Sequence, residues 1–384
     1  MKTRASLWLI LALAATPSPA ADVTVLKTPD DGIQPQAVAD GSGVVHLVYF
    51  KGSSATGDLY YVHTLGDGKT FSKPFRVNSV PGSAVAIGTI RGGQIAVGKG
   101  GRVHVAWNGS NNATPANPNG GSPMLYSRLN DAKAAFEPQR NLMRRTTFLD
   151  GGGTVAADGE GRVYVAWHAH RPGAPEGEKG RAFFVARSDD DGATFTPERN
   201  VLDRPTGACG CCGSKAFADR RGNVYALYRA ATDSIDRDIV LLTSADHGDH
   251  FAGRTLAPWR INICPMSSLA FAEGPAGVLA AWENDGRVAF ARIDPKAGTP
   301  GAPIQPSGET KGRKHPTLAV NDRGATLLAW TEGTGWQRGG ALAWQVFDAD
   351  GKPTTDVNRL PGGIPVWSLP TAVTLPDGRF LLIH

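Results

Sequence analysis

The sequence predicts an all-β fold, a β-propeller of four-stranded antiparallel blades, and three observations carry the prediction. A strand motif, Gly-x-Val-x-Val-Ala-Trp, occurs in full at residues 101–107 and 161–167 of the 384-residue chain. A turn motif, Ser-x-Asp-x-Gly-x-Thr-Phe, returns at matching places in successive repeats. The 48 glycines, 27 prolines and 20% charged residues are typical of many short strands joined by turns.

Residues 1–20 are interpreted as a secretory signal peptide. A basic start is followed by an apolar run at residues 5–15 and a small-residue cleavage site at residues 18–20. The apolar run is too short to span a bilayer, and no later segment is long enough. We therefore expect residues 21–384 to form one propeller domain without a transmembrane segment, in the periplasm or outside the cell.

The charge balance is only mildly basic. The formal net charge is +5, and loss of Lys2 and Arg4 with the signal peptide lowers it to +3. No cluster of lysine and arginine with interleaved aromatic residues occurs in the sequence. We therefore expect no nucleic-acid partner.

The strand motif alternates with a period of two residues. Val103, Val105 and Trp107 face one side of the predicted strand, and the residues between them face the other. In each repeat a strand of small residues comes first and the motif forms the second strand. In the early repeats a third strand, the turn motif and a fourth strand follow. Six complete units therefore run from about residue 33 to residue 360. Variants of the motif occur at residues 43–49, 222–228, 277–282, 324–330 and 378–384.

The two ends of the chain are predicted to share the last blade. After the six units, residues 367–384 supply only a first and a second strand. Residues 22–27 read as an extra strand that would complete this blade and remove the exposed edges of an open ring. This arrangement favours seven blades.

The residue types of the turn motif predict a structural role. The serine hydroxyl and the aspartate carboxylate accept hydrogen bonds from backbone amides of the same turn, and the glycine supplies a position with φ > 0. The aromatic ring then points into the core. A looser copy lies at residues 64–71, and worn copies lie at residues 127–136 and 348–351. The two fullest copies consist of Ser188, Asp190, Gly192, Thr194 and Phe195, and of Ser244, Asp246, Gly248 and Phe251.

These turns resemble the Asp-box (BNR) repeat of sialidase-like β-propellers. The resemblance extends over nearly the whole mature chain and implies the propeller fold, with six blades as the alternative to seven. It implies much less about function, because the Asp box is a structural turn.

The residues that the resemblance implies for sialidase catalysis are not matched. Active sialidases hold the substrate carboxylate with three arginines and use a Tyr–Glu nucleophile pair with an Asp acid/base. Where the first arginine belongs, in an Arg-Ile-Pro motif near the first blade, residues 32–35 read Gly-Ile-Gln-Pro. No tyrosine follows Tyr228, and Asp58 is a weak match for the acid. We expect sialidase activity to be absent or very weak.

In a propeller, loops from the second to the third strand and loops between blades lie on one face, around the axis. The first-to-second-strand turns and the Asp boxes lie on the other face. All four cysteines fall in two blade-to-blade loops, Cys209, Cys211 and Cys212 before blade four and Cys264 before blade five. Neighbouring blades present such loops side by side, so these thiols should form one cluster at the axial mouth.

Three interpretations of the cysteines remain open. In an oxidising compartment they would form two disulfides, with Cys264 paired to a member of the triplet. Thiolates converging with Met266 as a weak ligand would instead make a soft site for Cu(I) or Zn(II). A redox-active pair is the third interpretation.

Other polar residues fall in loops of the same face. His168 and His170 are interpreted as solvated loop histidines beside Arg171, with a metal or anion site as the alternative. The charged run after Tyr228 is interpreted as pairing within its own loop, although arginine forks there would also clamp a carboxylate or sulfate. The weak candidates for catalysis are Arg229, Asp233, Asp236, Arg237, Asp238, Glu283 and Glu332.

Three functional hypotheses follow. The first is a secreted or periplasmic propeller that binds a small-molecule, glycan or protein ligand through its cysteine-bearing axial face, without sialidase catalysis. The second is an exo-glycosidase of sialidase type with a divergent site built from the carboxylates and arginines above. The third is a periplasmic copper- or zinc-binding or redox protein centred on the cysteines.

Overall fold

A computed structural model describes residues 22–65, 69–308 and 312–384. The predicted signal peptide lies outside the described residues, as do residues 66–68 of the looser turn copy and residue 311 of one blade-to-blade loop. Within the described ranges the only helices are one-turn 3₁₀ segments at Pro29–Asp31, Lys99–Gly101 and Glu178–Gly180. None of the helices in these ranges is long and apolar enough to cross a membrane.

Seven sheets form the blades of a β-propeller, and the predicted seven-bladed all-β fold is confirmed. Five of the sheets have four strands, and those of blades five and seven have three. The first strand belongs to blade seven, and blades one to four contain the next sixteen. These strands are β1 (Val23–Leu26), β2 (Ile33–Ala39), β3 (Val45–Ser53), β4 (Thr56–His63), β5 (Phe75–Arg76), β6 (Gln94–Val97), β7 (Val103–Asn108), β8 (Met124–Arg128), β9 (Arg140–Asn141), β10 (Thr154–Ala157), β11 (Val163–His170), β12 (Arg181–Ser188), β13 (Arg199–Asn200), β14 (Lys215–Ala218), β15 (Val224–Arg229), β16 (Ile239–Ser244) and β17 (Ala252–Ala257).

Blades five to seven contain the remaining strands. In blade five, isolated bridges from Phe290 to Ile304 and from Ile293 to Pro300 take the place of a regular fourth strand. The strands are β18 (Ala270–Gly274), β19 (Gly277–Asn284), β20 (Arg287–Arg292), β21 (Arg313–Val320), β22 (Thr326–Glu332), β23 (Gly340–Phe347), β24 (Asn358–Ile364), β25 (Thr371–Thr374) and β26 (Phe380–Ile383).

The N-terminal strand closes the ring as predicted. β1 pairs with β26, from Val23 opposite Phe380 to Leu26 opposite Ile383. The pairing is parallel, whereas the other strand pairs within the blades are antiparallel. Because β1 runs parallel to β26, the end of β1 is joined to the start of β2 in blade one by a short connection that contains the 3₁₀ turn Pro29–Asp31. The last blade therefore combines both ends of the described chain, and β1 covers the edge of β26 that would otherwise be exposed.

The core consists of seven apolar clusters within the described residues, one at each contact between neighbouring blades. The tryptophans of the repeated strand motif are central to them, because Trp107, Trp167 and Trp330 are fully buried on the second strands of their blades. Burial of each such side chain stabilises the fold by about 2–3 kcal/mol. The repeated motif therefore supplies the apolar surface between blades.

The two fullest Asp boxes form the predicted turns. In the first, the Ser188 hydroxyl accepts the Gly192 amide at 2.8 Å, and the Asp190 carboxylate accepts the Thr194 amide at 2.8 Å. The second repeats this pattern with Ser244 accepting from Gly248 at 2.9 Å and Asp246 accepting from His250 at 3.0 Å. The glycines have φ of 77° and 83°, a region that other residues rarely adopt.

Candidate functional site

Two blade-to-blade loops and one second-to-third-strand loop meet at the axial face. The loop before β14 is fixed at both ends by backbone bonds. The Cys209 amide donates to the Arg229 carbonyl at 2.9 Å, and the Gly213 amide donates to the Ser267 carbonyl at 2.9 Å. Glu178, in the loop between β11 and β12, accepts the Gly210 amide at 2.6 Å. Blades three, four and five thus build the site together.

The four cysteines are free thiols and lie in one group, hereafter the thiol cluster. The Sγ atom of Cys209 is 3.3 Å from that of Cys211 and 3.5 Å from that of Cys212. The Sγ atom of Cys264 and a carboxylate oxygen of Glu178 lie within 4.8 Å of the Cys209 sulfur. Cys264 therefore reaches the triplet from the next loop, and Glu178 adds an oxygen at the rim.

The thiol cluster runs from the interior to the solvent. Cys209 and Cys212 are 1% and 2% exposed, Cys211 is half-buried, and Cys264 is exposed. The site therefore has a solvent-facing sulfur at its mouth and two enclosed sulfurs at its base.

The surroundings favour thiolates at both ends of this gradient. Burial alone would raise the pKa of the Cys212 thiol. However, hydrogen bonds from Cys209 and Cys211, the Arg229 charge and the Ser267 amide hold that pKa well below its usual value. Hydrogen bonds from the Cys209 and Cys211 thiols lower the pKa of Cys264 to about 3, with a further contribution from Arg237. The surroundings therefore favour the deprotonated form most at Cys212 and Cys264.

A buried ion pair lies behind the cluster. Arg229 and Glu283 are joined at 3.0 Å, and both side chains are 1% exposed. The guanidinium also lies 5.1 Å from the centre of the Trp259 ring. Burial raises the pKa of Glu283, although the Arg229 charge opposes the shift. Two of the residues considered for catalysis thus neutralise each other in the interior.

The remaining charged candidates are paired mainly between loops. The interpretation of a self-paired run after Tyr228 is wrong, because Arg237 pairs with Glu178 of blade three at 2.6 Å. Asp236 lies 3.5 Å from Arg260, and Asp238 accepts the Trp259 amide at 2.9 Å.

Two further candidates lie apart from these pairs. Asp233 is exposed, with φ of 51°. Glu332 lies in blade six, where Arg359 and Arg313 lie 2.9 Å and 3.5 Å from its carboxylate.

The interpretation of His168 and His170 as solvated loop residues is also wrong. β11 continues to His170, and the two side chains are only 1% and 8% exposed. His168 lies against Asp150, Arg181 and Cys212, and burial lowers its pKa to about 4, helped by the Arg181 charge. His170 faces the Gly177 carbonyl at 2.8 Å. Both rings are therefore packed in the interior, and His168 lies against Cys212 of the thiol cluster.

Sequence reasoning missed the polar network under the thiol cluster. Asp150 accepts from Arg91 at 2.5 Å and from Arg181 at 2.8 Å, linking blades two and three. A signal for this close packing was present in the glycine run 151–153. A Cβ atom at Gly151 would lie 2.0 Å from the His168 ring, and one at Gly152 would lie 1.8 Å from the Ile90 carbonyl.

Comparison with known proteins identifies the fold. No model of a protein family matches the sequence, and no curated protein does either. The NanB sialidase from Streptococcus pneumoniae matches in structure with a TM-score of 0.55 and 11% identity, over 84% of this chain and 69% of that chain. The α-L-arabinanase from Penicillium chrysogenum matches with a TM-score of 0.54 and 13% identity, over 87% and 99%. A Hadza microbial sialidase matches with a TM-score of 0.51 and 15% identity, over 84% and 70%. The resemblance to sialidase-like β-propellers is thus confirmed as a resemblance of fold.

Proposed function

We propose that this protein is a periplasmic or secreted propeller that binds a soft metal ion, Cu(I) or Zn(II), through Cys209, Cys211, Cys212 and Cys264. The observation that carries the proposal is the convergence of four free thiols from two neighbouring loops. The axial face is then the metal-binding face, and the rest of the propeller holds the two loops in place.

The sulfur spacing suits a metal better than disulfides. Two thiolates bound to one tetrahedral metal at about 2.3 Å lie about 3.8 Å apart. The distances of 3.3 Å and 3.5 Å from the Cys209 sulfur are within a few tenths of an ångström of that value. A disulfide needs about 2.05 Å. Small side-chain rotations would therefore seat a metal, whereas a disulfide requires sulfur atoms to move by more than an ångström.

The neighbouring groups also suit a cation. The metal needs deprotonated thiols, and the lowered pKa values of Cys212 and Cys264 favour the deprotonated form of both. The exposed Cys264 offers the first contact for an incoming ion. Glu178 contributes an oxygen near Cys209 and Cys264 and orients the loop through the Gly210 amide. Met266 follows Cys264 closely and remains a candidate soft ligand.

Thiol–disulfide exchange is the second candidate function. Cys264 is exposed and has a depressed pKa, the two properties of an attacking thiolate. The Cys209 and Cys211 thiols beside it would act as resolving partners. A mass decrease of the oxidised protein that dithiothreitol reverses, without bound metal, would favour this function.

Glycan hydrolysis has less support from the site. Arg229 and Glu283 neutralise each other, Arg237 is held by Glu178, and Glu332 is held by arginines. We therefore expect the purified protein to leave a fluorogenic sialoside uncleaved. Turnover abolished by Glu283→Gln would instead establish a divergent glycosidase.

Competition titration against a chromophoric chelator tests metal binding. We expect the wild-type protein to take up one Cu(I) or Zn(II) per chain. Cys212→Ser should weaken binding more than the roughly 10- to 100-fold typical of losing an outer-shell partner. Ile263→Ser is the matched control, because Ile263 is exposed beside Cys264 and offers no ligand. The absence of binding by wild-type protein, or equal effects of the two variants, would contradict the proposal.

A further inference from the structure

One lysine at the propeller axis, Lys215, is paired with no carboxylate among the residues that the structure describes. Lys215 begins β14, the innermost strand of blade four, and its Nζ atom donates to the side-chain oxygens of Gln36 at 3.2 Å and Gln94 at 3.1 Å. Burial is the cause that lowers its pKa to about 8, and no carboxylate or arginine contributes. Amide oxygens solvate an ammonium group but do not neutralise it, so the axis has an uncompensated positive charge.

The lysine opens into a cavity of about 90 Å³ between the innermost strands. Residues of blades one, two, four, five, six and seven line it, and Lys215 is the only charged residue among them. A cavity of this size holds a small ion together with water. The lining therefore offers no carboxylate to pair with the half-buried ammonium group.

The polar side chains around the cavity have hydrogen-bond donors to spare. Because the Gln36 and Gln94 oxygens accept from Lys215, their amide NH₂ groups remain to donate. The Thr371 hydroxyl accepts the Ala37 amide at 3.1 Å, and the Thr317 hydroxyl accepts the Ala372 amide at 3.2 Å. Each hydroxyl thus keeps its own hydrogen for a further acceptor. The cavity lining thus combines one positive charge with several free hydrogen-bond donors and has no negatively charged residue, which favours the binding of an anion.

We infer that the axial cavity is a binding site for a small inorganic anion, of halide size, held by Lys215, the amides of Gln36 and Gln94 and the hydroxyls of Thr317 and Thr371. The anion supplies the counter-charge that Lys215 lacks and joins strands of five blades at the axis. This site is separate from the thiol cluster, although Gly213, which follows Cys212, lines the cavity. It does not depend on the proposed metal.

Anomalous diffraction with bromide tests the site directly. Crystals of the mature wild-type chain grown in sodium bromide should show an anomalous peak in the cavity within about 3.5 Å of Lys215 Nζ. Gln94→Glu should abolish the peak, because its carboxylate would neutralise Lys215 from within. Wild-type crystals without a peak in the cavity would overturn the inference, as would an undiminished peak in the variant.

Thermal unfolding provides the test in solution. Replacing sodium gluconate by sodium bromide at constant ionic strength should raise the wild-type Tm by about 2 °C, because the ion binds only the folded chain. Gln94→Glu and Lys215→Met should lose this shift, whereas Lys296→Met, which removes an exposed lysine, should keep it. If bromide stabilises Gln94→Glu as much as the wild-type protein, the anion acts elsewhere and the inference is wrong.

Discussion

At the scale of single residues, several buried charges of this protein are paired with residues on neighbouring blades. Arg229 on β15 and Glu283 on β19 form the most enclosed of these pairs. Arg229→Met should lower the free energy of unfolding by about 3–5 kcal/mol, because it leaves Glu283 buried without a counter-charge. Urea unfolding measures this loss.

Two further variants make this prediction specific. Arg379→Met removes an exposed pair with Asp377 and should cost less than about 1 kcal/mol. The double variant Arg229→Met with Glu283→Leu should regain part of the stability, since both buried charges are then gone. Equal costs for Arg229→Met and Arg379→Met would contradict the account.

A buried histidine makes stability depend on pH. Burial lowers the pKa of His315 to about 3, helped by the Lys314 charge, against an ordinary value of 6.5. The unfolded chain therefore takes up a proton first as the pH falls. The stability from neutral His315 is present above pH 6.5, and about 3 kcal/mol of it should be lost between pH 6.5 and pH 4. His315→Asn, which tolerates the φ of 51°, should unfold with a shallower pH dependence. Identical slopes in the two proteins would show that other groups carry the effect.

At the scale of elements, the Asp box depends on its glycine. A Cβ atom at Gly192 would lie 1.9 Å from the Tyr126 hydroxyl, and the backbone has φ of 77°. Gly192→Ala should therefore destabilise the protein by about 2–4 kcal/mol. Gly159→Ala is the matched control, since its Cβ atom would meet nothing within 4 Å. Thermal unfolding compares the two, and a cost for Gly192→Ala no larger than that for Gly159→Ala would be unexpected.

Strands and turns of this chain are predictable because their signals are local. Alternation around Val103 and Val105 predicts β7, and the spacing of Ser188, Asp190 and Gly192 predicts the bonds of the turn. Side-chain pairs between different blades leave no such local pattern in the sequence. Glu178 reaches Arg237 from fifty-nine residues away, and no spacing rule connects them. For the same reason the burial of His168 escaped prediction, because it depends on Asp150 and Arg181 beneath the cysteine loop.

At the scale of the whole molecule, ring closure depends on a short N-terminal strand. Sequence repeats alone left six or seven blades open, and the pairing of β1 with β26 establishes the seventh. A chain lacking residues 1–27 should be about 2–4 kcal/mol less stable than one lacking residues 1–21, because Val23 and Val25 pack on the cluster between blades six and seven.

Limited proteolysis completes this comparison. We expect residues 22–384 to resist proteolysis as one domain and the shortened chain to be cleaved throughout. Two stable fragments from the longer chain would show independent halves and contradict the single-domain prediction.

The central claim is that the thiol cluster is a metal–thiolate site, and X-ray absorption at the metal edge tests it most directly. Wild-type protein loaded with one equivalent of Zn(II) should show three to four sulfur neighbours at about 2.3 Å. Cys264→Ser should remove one of them, and the variant lacking all four cysteines should show none. A wild-type first shell of nitrogen and oxygen only, or a thiol count of zero in freshly purified protein, would contradict the claim.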